Sequence, residues 1–475
     1  MESKIAISSN IPETYNGKYV LITGATGFLG KVLVEKLLYS CPDIGKIYIL
    51  IRDRRGTPAK ERFNKFISNS IFDRIRTRNP KILEKLNLIE GDCLHSDLGI
   101  KNPEEMKIHI IFHVVATVKF NEKLETAIDV NVNGTIRILE LAKKMSDLES
   151  FVYISTAYSI PYKSHVEEKV QQFDLIGNFS SHIVQNELKL TESQLNSLSV
   201  NIGAEKLYPN TYTITKHMAE QVVYDFSKEL SGIDVIIVRP SIITAAAYEP
   251  IIGWIDSFNG PSAMMVEISR GTIKSVIGNG NVIADLIPVD IVTNTIIVKF
   301  GRLIDKYAIQ APTKHVLMYP GFKFRPKNLL HRTIVQLYHF LPIFILGIIL
   351  KLLGKSNNMM RIARIIDAGI EANSYFTSRE WDYETNNLKD LANKLENSLS
   401  RHDFNCDAKC YDWDTYVRGY MLGTRQFLLR DPIETLPSAR RRLFCIFLMT
   451  NCLKLAFLYL LWNIGYNFIL SIEQI

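Results

Sequence analysis

Apolar residues come in short runs along the first half of the chain: 19–22 (YVLI), 47–51 (IYILI), 86–89 (LNLI), 108–114 (IHIIFHV), 151–154 (FVYI) and 235–238 (VIIV). Runs this short, with no polar alternation, suit strands covered on both faces. Between them the period changes to that of helices, clearest over 28–40 and 127–145. Strand and helix alternating in this way predicts an α/β fold, a doubly wound, Rossmann-type parallel sheet with its sites at the carboxyl ends of the strands. The basic stretch 52–81 reads as a solvated helical excursion between the second and third strands.

Beyond about residue 355 the alternation stops and the aromatic-rich segments 372–395 and 411–432 read as amphipathic helices. The expected organisation is an N-terminal tail (1–14), a nucleotide-binding reductase domain (15–300), a connecting segment with an apolar stretch (301–354), a small helical C-terminal domain (355–432) and a hydrophobic segment (443–470). That last segment follows Arg440, Arg441 and Arg442 and has the length of a membrane span. Asn451, Lys454 and Asn463 interrupt it, so it either crosses the bilayer or lies on its surface. The run 340–350, eleven residues with Pro342, is too short to span and reads as buried or interfacial.

Composition adds little to this picture. There are 56 basic and 49 acidic residues, a net charge of +7, which gives no ground for a nucleic-acid partner. Six cysteines lie scattered, and Cys406 with Cys410 lacks the further ligands of a zinc site, so no metal is expected. The N-terminus has no secretory signal, which keeps the catalytic part in the cytosol.

The chemistry begins at LITGATGFLG (21–30). Glycines at 24, 27 and 30 join a strand to a helix, the arrangement that lets backbone N–H groups and a helix N-terminus approach a pyrophosphate. The second strand ends not in the acidic residue that binds a free ribose but in Arg52, which suits a 2′-phosphate and so NADP(H). Asp92, after the third strand, is placed for the adenine or as a turn residue. Two Tyr–Lys pairs at i, i+4 occur on one helix, Tyr212–Lys216 and Tyr224–Lys228. The first sits at the helix start, where a side chain can face a cleft, and a neighbouring ammonium would lower the phenol pKa. Ser155 and Thr156 end a buried strand and can hold the substrate oxygen.

Together the stretches TGATGFLGKVLVEKLL (23–38), IYILIRDRRG (47–56), HVVATVKF (113–120), NVNGT (131–135), YISTAY (153–158), NTYTITKHMAE (210–220), VRPSII (238–243) and GWIDSFNGP (253–261) resemble an extended short-chain dehydrogenase/reductase. More narrowly, they resemble an insect-like, alcohol-forming fatty acyl-CoA reductase. WDYETNNL and WDTYVRGYMLGTRQFLLRD are similar to that family's helical male-sterility domain. The resemblance implies two-step, NADPH-dependent reduction of long-chain acyl-CoA to a primary alcohol, as in wax and lipid biosynthesis. It implies a membrane-anchored enzyme at the endoplasmic reticulum or peroxisome, and it leaves room for a homodimer. Carried over, Thr23, Gly24, Thr26, Gly27, Phe28, Leu29 and Gly30 line the pyrophosphate, Arg52 takes the 2′-phosphate, Asp92 the adenine, and Ala116 lies against the cofactor. Thr156, Tyr212 and Lys216 form the catalytic set, which would also contact the cofactor, with Ser155 the alternative hydroxyl. Asn131 or Asn133 takes the place of a proton-relay asparagine. Val115 stands where the family often has a smaller residue, and there it would crowd the nicotinamide. Segments 322–350 and 372–383 are candidate walls for the acyl tail. Rival readings are a sterol- or sugar-type dehydrogenase on the same scaffold, or a binding protein without catalysis.

Overall fold

Six strands form one parallel sheet in the order β3-β2-β1-β4-β5-β6: β1 (Tyr19–Thr23), β2 (Lys46–Ile51), β3 (Leu86–Glu90), β4 (Ile110–His113), β5 (Ser150–Ile154) and β6 (Asp234–Val238). The computed structural model describes residues 11–177, 179–184, 187–203, 205–229, 232–292, 323–352, 358–387, 389 and 412–473. Every short apolar run of the sequence became a strand because the sheet is covered on both faces. Leu21, Ile22, Ile47, Ile49, Ile111 and Phe151 are fully buried. The order reverses between β1 and β4, and Val20–Thr23 pairs in register with Ile110–His113 there. A ligand crevice belongs at that reversal, past the strands' carboxyl ends.

Four helical elements complete the site's scaffold. Helix α1 (Phe28–Ser40) covers the predicted range. Helix α2 (Ala59–Ile67) follows β2. Helix α3 is a continuous run of Leu124–Ile128, a wide π-type turn at Asp129–Asn133, and Gly134–Lys143; it starts three residues before the sequence pattern suggested. Helix α4 (Thr211–Glu229) carries both Tyr–Lys pairs. The excursion 52–81 is less solvated than expected. Phe66, Ile71, Phe72 and Ile75 are buried, so its short helices pack on the sheet and only their outer faces carry the basic residues.

The chain divides into two compact units that interleave in sequence. One holds 1–254, 283–298 and 379–411, the other 255–282, 299–378 and 412–475. The second unit begins well before the boundary at 300 that composition suggests. Its described elements include the strand pair Ser275–Ile277 and Lys323–Arg325 and a helical run α5, composed of Leu329–Ile334, a π-type turn Val335–Phe340 and Leu341–Leu352. They also include α6 (Met359–Thr377), α7 (Trp413–Gly423) and α8 (Leu436–Glu473). Cys406, Cys410 and much of the expected connecting segment lie outside the described residues. The expected membrane segment forms most of α8. Among the described residues no helix is long and apolar enough to cross a membrane, which fits the polar residues that break up this stretch.

Candidate active site

The glycine turn is shaped by close backbone approach. Gly24 has φ +72°, and a Cβ there would lie 2.7 Å from the backbone nitrogen of Val115. A Cβ on Gly30 would lie 2.4 Å from the Gly24 carbonyl oxygen and 2.6 Å from the Ala25 Cα. The turn closes through Gly27 N–H donating to the Gly24 carbonyl at 2.9 Å. Gly27 then serves as the cap of α1 without a side chain to occupy the space before the helix. Gly24 and Gly30 thus let backbone pack against backbone, and Gly27 leaves the N-terminus of α1 without a side chain before it, the arrangement in which backbone N–H groups can approach a pyrophosphate. Thr26 and Leu29 flank the turn, half-buried. Phe28 stacks on the buried Trp254 with ring centroids 5.6 Å apart. Trp254 ends a loop tied down by Asp290, whose carboxylate accepts from the backbone N–H groups of Ala247, Tyr248 and Glu249 at 2.8, 2.7 and 3.2 Å. Sequence reasoning did not single out either Trp254 or Asp290.

At the tip of β2, Arg52 is half-exposed and donates to the Asp92 carboxylate at 2.9 Å. Asp92 also accepts from the Leu94 N–H at 3.2 Å, so one aspartate both shapes its turn and orients the arginine. Asp53 is occupied elsewhere, since its carboxylate caps α2 by accepting from Ala59 N–H at 2.8 Å. Arg62, one turn into α2, donates to the Arg52 carbonyl. Burial, with Arg54 and Arg52 nearby, lowers its pKa. Three guanidiniums therefore share this tip, and the two aspartates beside it, Asp53 and Asp92, each accept hydrogen bonds from within the protein. Arg62 escaped the sequence reading because it sits ten residues away from Arg52.

The segment after β4 carries Ala116 and Thr117. Thr117 N–H donates to Asn131 Oδ1 at 2.8 Å, and Asn131 Nδ2 donates to Thr215 Oγ1 on α4 at 2.9 Å. Asn133 instead accepts from Leu188 N–H at 2.8 Å. The wide turn in α3 thus points Asn131 at the site and Asn133 away from it, a distinction invisible in the sequence. Val115 packs against the hydrophobic core, which accounts for a larger side chain being accommodated there.

Tyr212, Thr156 and Lys216 converge at the end of β5. The Thr156 hydroxyl is hydrogen-bonded to the Tyr212 phenol, while burial pushes that phenol up to about 12. Ser155 Oγ is buried and has no hydrogen-bond partner. Thr156 is therefore the hydroxyl that meets the tyrosine. Lys216 does not contact Tyr212 in the way its spacing suggested. It donates to the Ile154 carbonyl at 2.7 Å and to the Tyr153 hydroxyl at 3.2 Å. Burial lowers its pKa to about 7, with Glu220 one turn along opposing the shift. The ammonium, stripped of water, turns to the strand's oxygens. Tyr224 is 44% exposed, with Lys228 over its ring, so the second pair sits on the outer surface.

Behind Lys216 lies a polar chain absent from the sequence reading. Tyr153 is hydrogen-bonded to Thr135. Thr135 Oγ1 donates to the Asn131 carbonyl at 2.7 Å and lies 3.1 Å from His113 Nε2, while His113 Nδ1 lies 2.8 Å from Thr23 Oγ1. Burial, with Lys216 adding to it, holds His113 down to about 3, so its ring is neutral. Donor accounting then fixes the tautomer. Thr135 spends its only proton on Asn131, so His113 Nε2–H and the Tyr153 hydroxyl both donate to Thr135, and Thr23 donates to Nδ1. The Tyr153 oxygen is left facing Lys216 as an acceptor. Thr23 thus reaches a histidine rather than a phosphate with its hydroxyl.

A cavity of about 340 Å³ follows the outer side of β6, lined by Ile236, Val238, Arg239, Val166 and Tyr383 among others. It reaches Ala157, but none of Thr156, Tyr212 and Lys216 lines it. Asp285, a carboxyl that the sequence reading passed over, is pushed up to about 7 by burial and by Glu380.

Two family models, both described as male sterility protein, match residues 22–296 and 338–431. The chain is similar to human fatty acyl-CoA reductase 1, at 33% identity covering 91% of this chain and 89% of the relative. It is also similar to the Drosophila melanogaster fatty acyl-CoA reductase wat, at 32% identity covering 90% and 87%. Among solved structures, the terminal R domain from the myxalamid PKS-NRPS biosynthetic pathway shares the fold at TM-score 0.55 and 18% identity, covering 89% of this chain and 94% of that one. The matches run through the glycine turn, the Tyr212–Lys216 helix and the C-terminal helices alike, and the chain belongs to the fatty acyl-CoA reductase family.

Proposed function

We propose that the chain reduces long-chain fatty acyl-CoA to the primary alcohol, with NADPH as reductant and release of CoA. The observation that carries this reading is the hydrogen bond between Thr156 and Tyr212 at the end of β5, with the Lys216 ammonium bound to the Ile154 carbonyl of the same strand. Bound NADPH would supply one hydride to each of two successive reductions. Gly24, Gly27 and Gly30 would hold its pyrophosphate, and Arg52 with Arg62 its 2′-phosphate.

The chain's own residues do the rest. The Thr156 and Tyr212 hydroxyls hold the thioester carbonyl oxygen and donate to it as negative charge builds there. The carbon–sulfur bond then breaks, the CoA thiolate leaves and takes a proton, and an aldehyde remains. In the second reduction Tyr212 gives its proton to the alkoxide, leaving the alcohol. A phenol held near 12 is a weak acid, and the Lys216 ammonium is the group that makes this transfer favourable. Asn131 fixes Thr117 and Thr215 on either side of the cleft.

The tail gives the enzyme its place. Helix α8 exposes Phe444, Met449, Leu455, Tyr459 and Trp462 behind the Arg440–Arg442 triplet. Such a helix attaches a catalytic domain to the cytosolic face of a membrane, at the endoplasmic reticulum or peroxisome, where acyl-CoA concentrates. Incubating the purified full chain with NADPH and a long-chain acyl-CoA tests the reaction. Two NADPH oxidised per CoA released, with fatty alcohol as product, is the expected result. NADPH oxidation without CoA release would remove the assignment and favour a dehydrogenase of another substrate class.

A further inference from the structure

Helix α5 turns a row of apolar side chains outward and is anchored inward through two histidines. His331 and His339 are both buried. His331 Nδ1 lies 2.8 Å from Ser275 Oγ, and His339 Nε2 accepts from the Lys274 N–H at 2.9 Å. These bonds fix the rotation of the helix about its axis. The opposite face shows Leu337, Leu341, Phe344, Ile348 and Leu352, between 44% and 82% exposed. Their spacing of 4, 3, 4 and 4 residues draws one stripe along the helix. Tyr338 lies beside it, and Ile362 and Ile365 of α6 add two more exposed apolar side chains. A stripe of this length on a face that cannot turn inward marks an interaction surface.

The charge around the stripe identifies the partner. Residues 323–366 contain eight Lys or Arg and no Asp or Glu, in a chain that is otherwise nearly balanced. The tail is no complement, because 436–472 is also free of acidic residues and carries four basic ones. Lys327 pairs with Glu371 of α6, which leaves the rim net positive; an apolar stripe with such a rim matches a bilayer surface containing acidic lipids, with apolar side chains among the acyl chains and basic ones at the headgroups.

We propose that α5 and the start of α6 form a second membrane-docking face, which lies flat on an acidic bilayer and acts separately from the tail. It requires neither the proposed reaction nor the tail's attachment. The segment 322–350, expected from the sequence to wall an acyl tunnel, would on its outer side meet lipid instead.

The test is co-sedimentation of the full-length protein with phosphatidylcholine vesicles, with and without about 30% phosphatidylserine, at low and high salt. Phe344→Asp with Ile348→Asp should lower retention on the acidic vesicles about tenfold. Arg332→Gln, Arg361→Gln and Arg364→Gln, at three exposed positions, should lower it on acidic vesicles only and flatten its salt dependence. Leu455→Ser with Trp462→Ser in the tail should leave the dependence on phosphatidylserine in place. NADPH titration of each variant confirms that it has folded. Retention indifferent to the α5 and arginine changes, or lost entirely with the tail change, would overturn the proposal.

Discussion

Lys216 Nζ donates to the Tyr153 hydroxyl at 3.2 Å and lies 4.6 Å from the centroid of the same ring. Because Tyr153 gives its own proton to Thr135, its oxygen stabilises the charged lysine and not the neutral one. Our reading of the reaction needs the ammonium. The free enzyme's kcat/KM for NADPH should therefore fall as the pH rises through about 7, where Lys216 loses its proton. Tyr153→Phe removes one of two acceptors and should move that fall to lower pH. Glu220 and the Ile154 carbonyl still favour the ammonium, while burial opposes it, so the limb shifts without vanishing. A pH–rate profile that drops in height but keeps its position would assign Tyr153 to packing alone.

Tyr212→Phe keeps the ring and removes the acid. Turnover should fall by about 10²-fold or more, the usual contribution of a general acid. Tyr224→Phe, on the exposed side of α4, should leave turnover within about twofold. Thr156→Ala should be far more damaging than Ser155→Ala, because only Thr156 bonds to the phenol. Steady-state kinetics of the four variants rank them, and a silent Thr156→Ala would return the role to Ser155.

Arg52→Asp should raise the KM for NADPH steeply and spare NADH, since a charge-assisted bond to phosphate is replaced by repulsion. Arg62→Ala should weaken NADPH in the same direction but less. Fluorescence titration with both dinucleotides reads the ratio. Equal losses for both would place these arginines in the structure of the β2–α2 turn rather than in recognition.

Gly30→Ala puts a methyl group 2.4 Å from a backbone oxygen. Neither backbone can yield easily, so the change should cost about 1–3 kcal/mol of stability, in the range of overpacked cores, and disrupt dinucleotide binding. Thermal unfolding and NADPH titration measure both. Gly56, whose Cβ would meet nothing within 4 Å but whose φ is +78°, should lose some stability on mutation to Ala and keep its cofactor.

What could be read in advance follows the range of the interactions. Strands β1 to β6 were legible because a sheet covered on both faces demands short unbroken apolar runs, and Tyr19–Thr23 or Asp234–Val238 can hardly be anything else. Helix α1 was legible because the glycine turn before it and Cys41 after it bound it locally. The turn after β1 that holds Gly24, the β2 end before Arg52 and the helix start that carries Tyr212 were legible because each is set by its local pattern. The chain from Lys216 to His113 was hidden, since its members come from four separate elements and each looks like a core residue alone. Lys216 also defeated the simple i, i+4 argument, because a carbonyl on the neighbouring strand competes for its protons. The division into units was hidden as well: residues 255–282 join a body whose remainder resumes only at 299, with 283–298 returning to the first unit in between.

The wide turn at Asp129–Asn133 gives α3 one residue to spare. Such a turn holds one residue more than an ordinary helical turn does, yet both complete about one revolution. Losing a residue there would let the helix close to regular geometry with Leu124, Ala127 and Ile128 still facing the core. The change would be confined to the turn itself, where Asn131 bonds Thr117 and Thr215 and Asn133 bonds Leu188. The core could do without the extra residue; the cleft is what uses it.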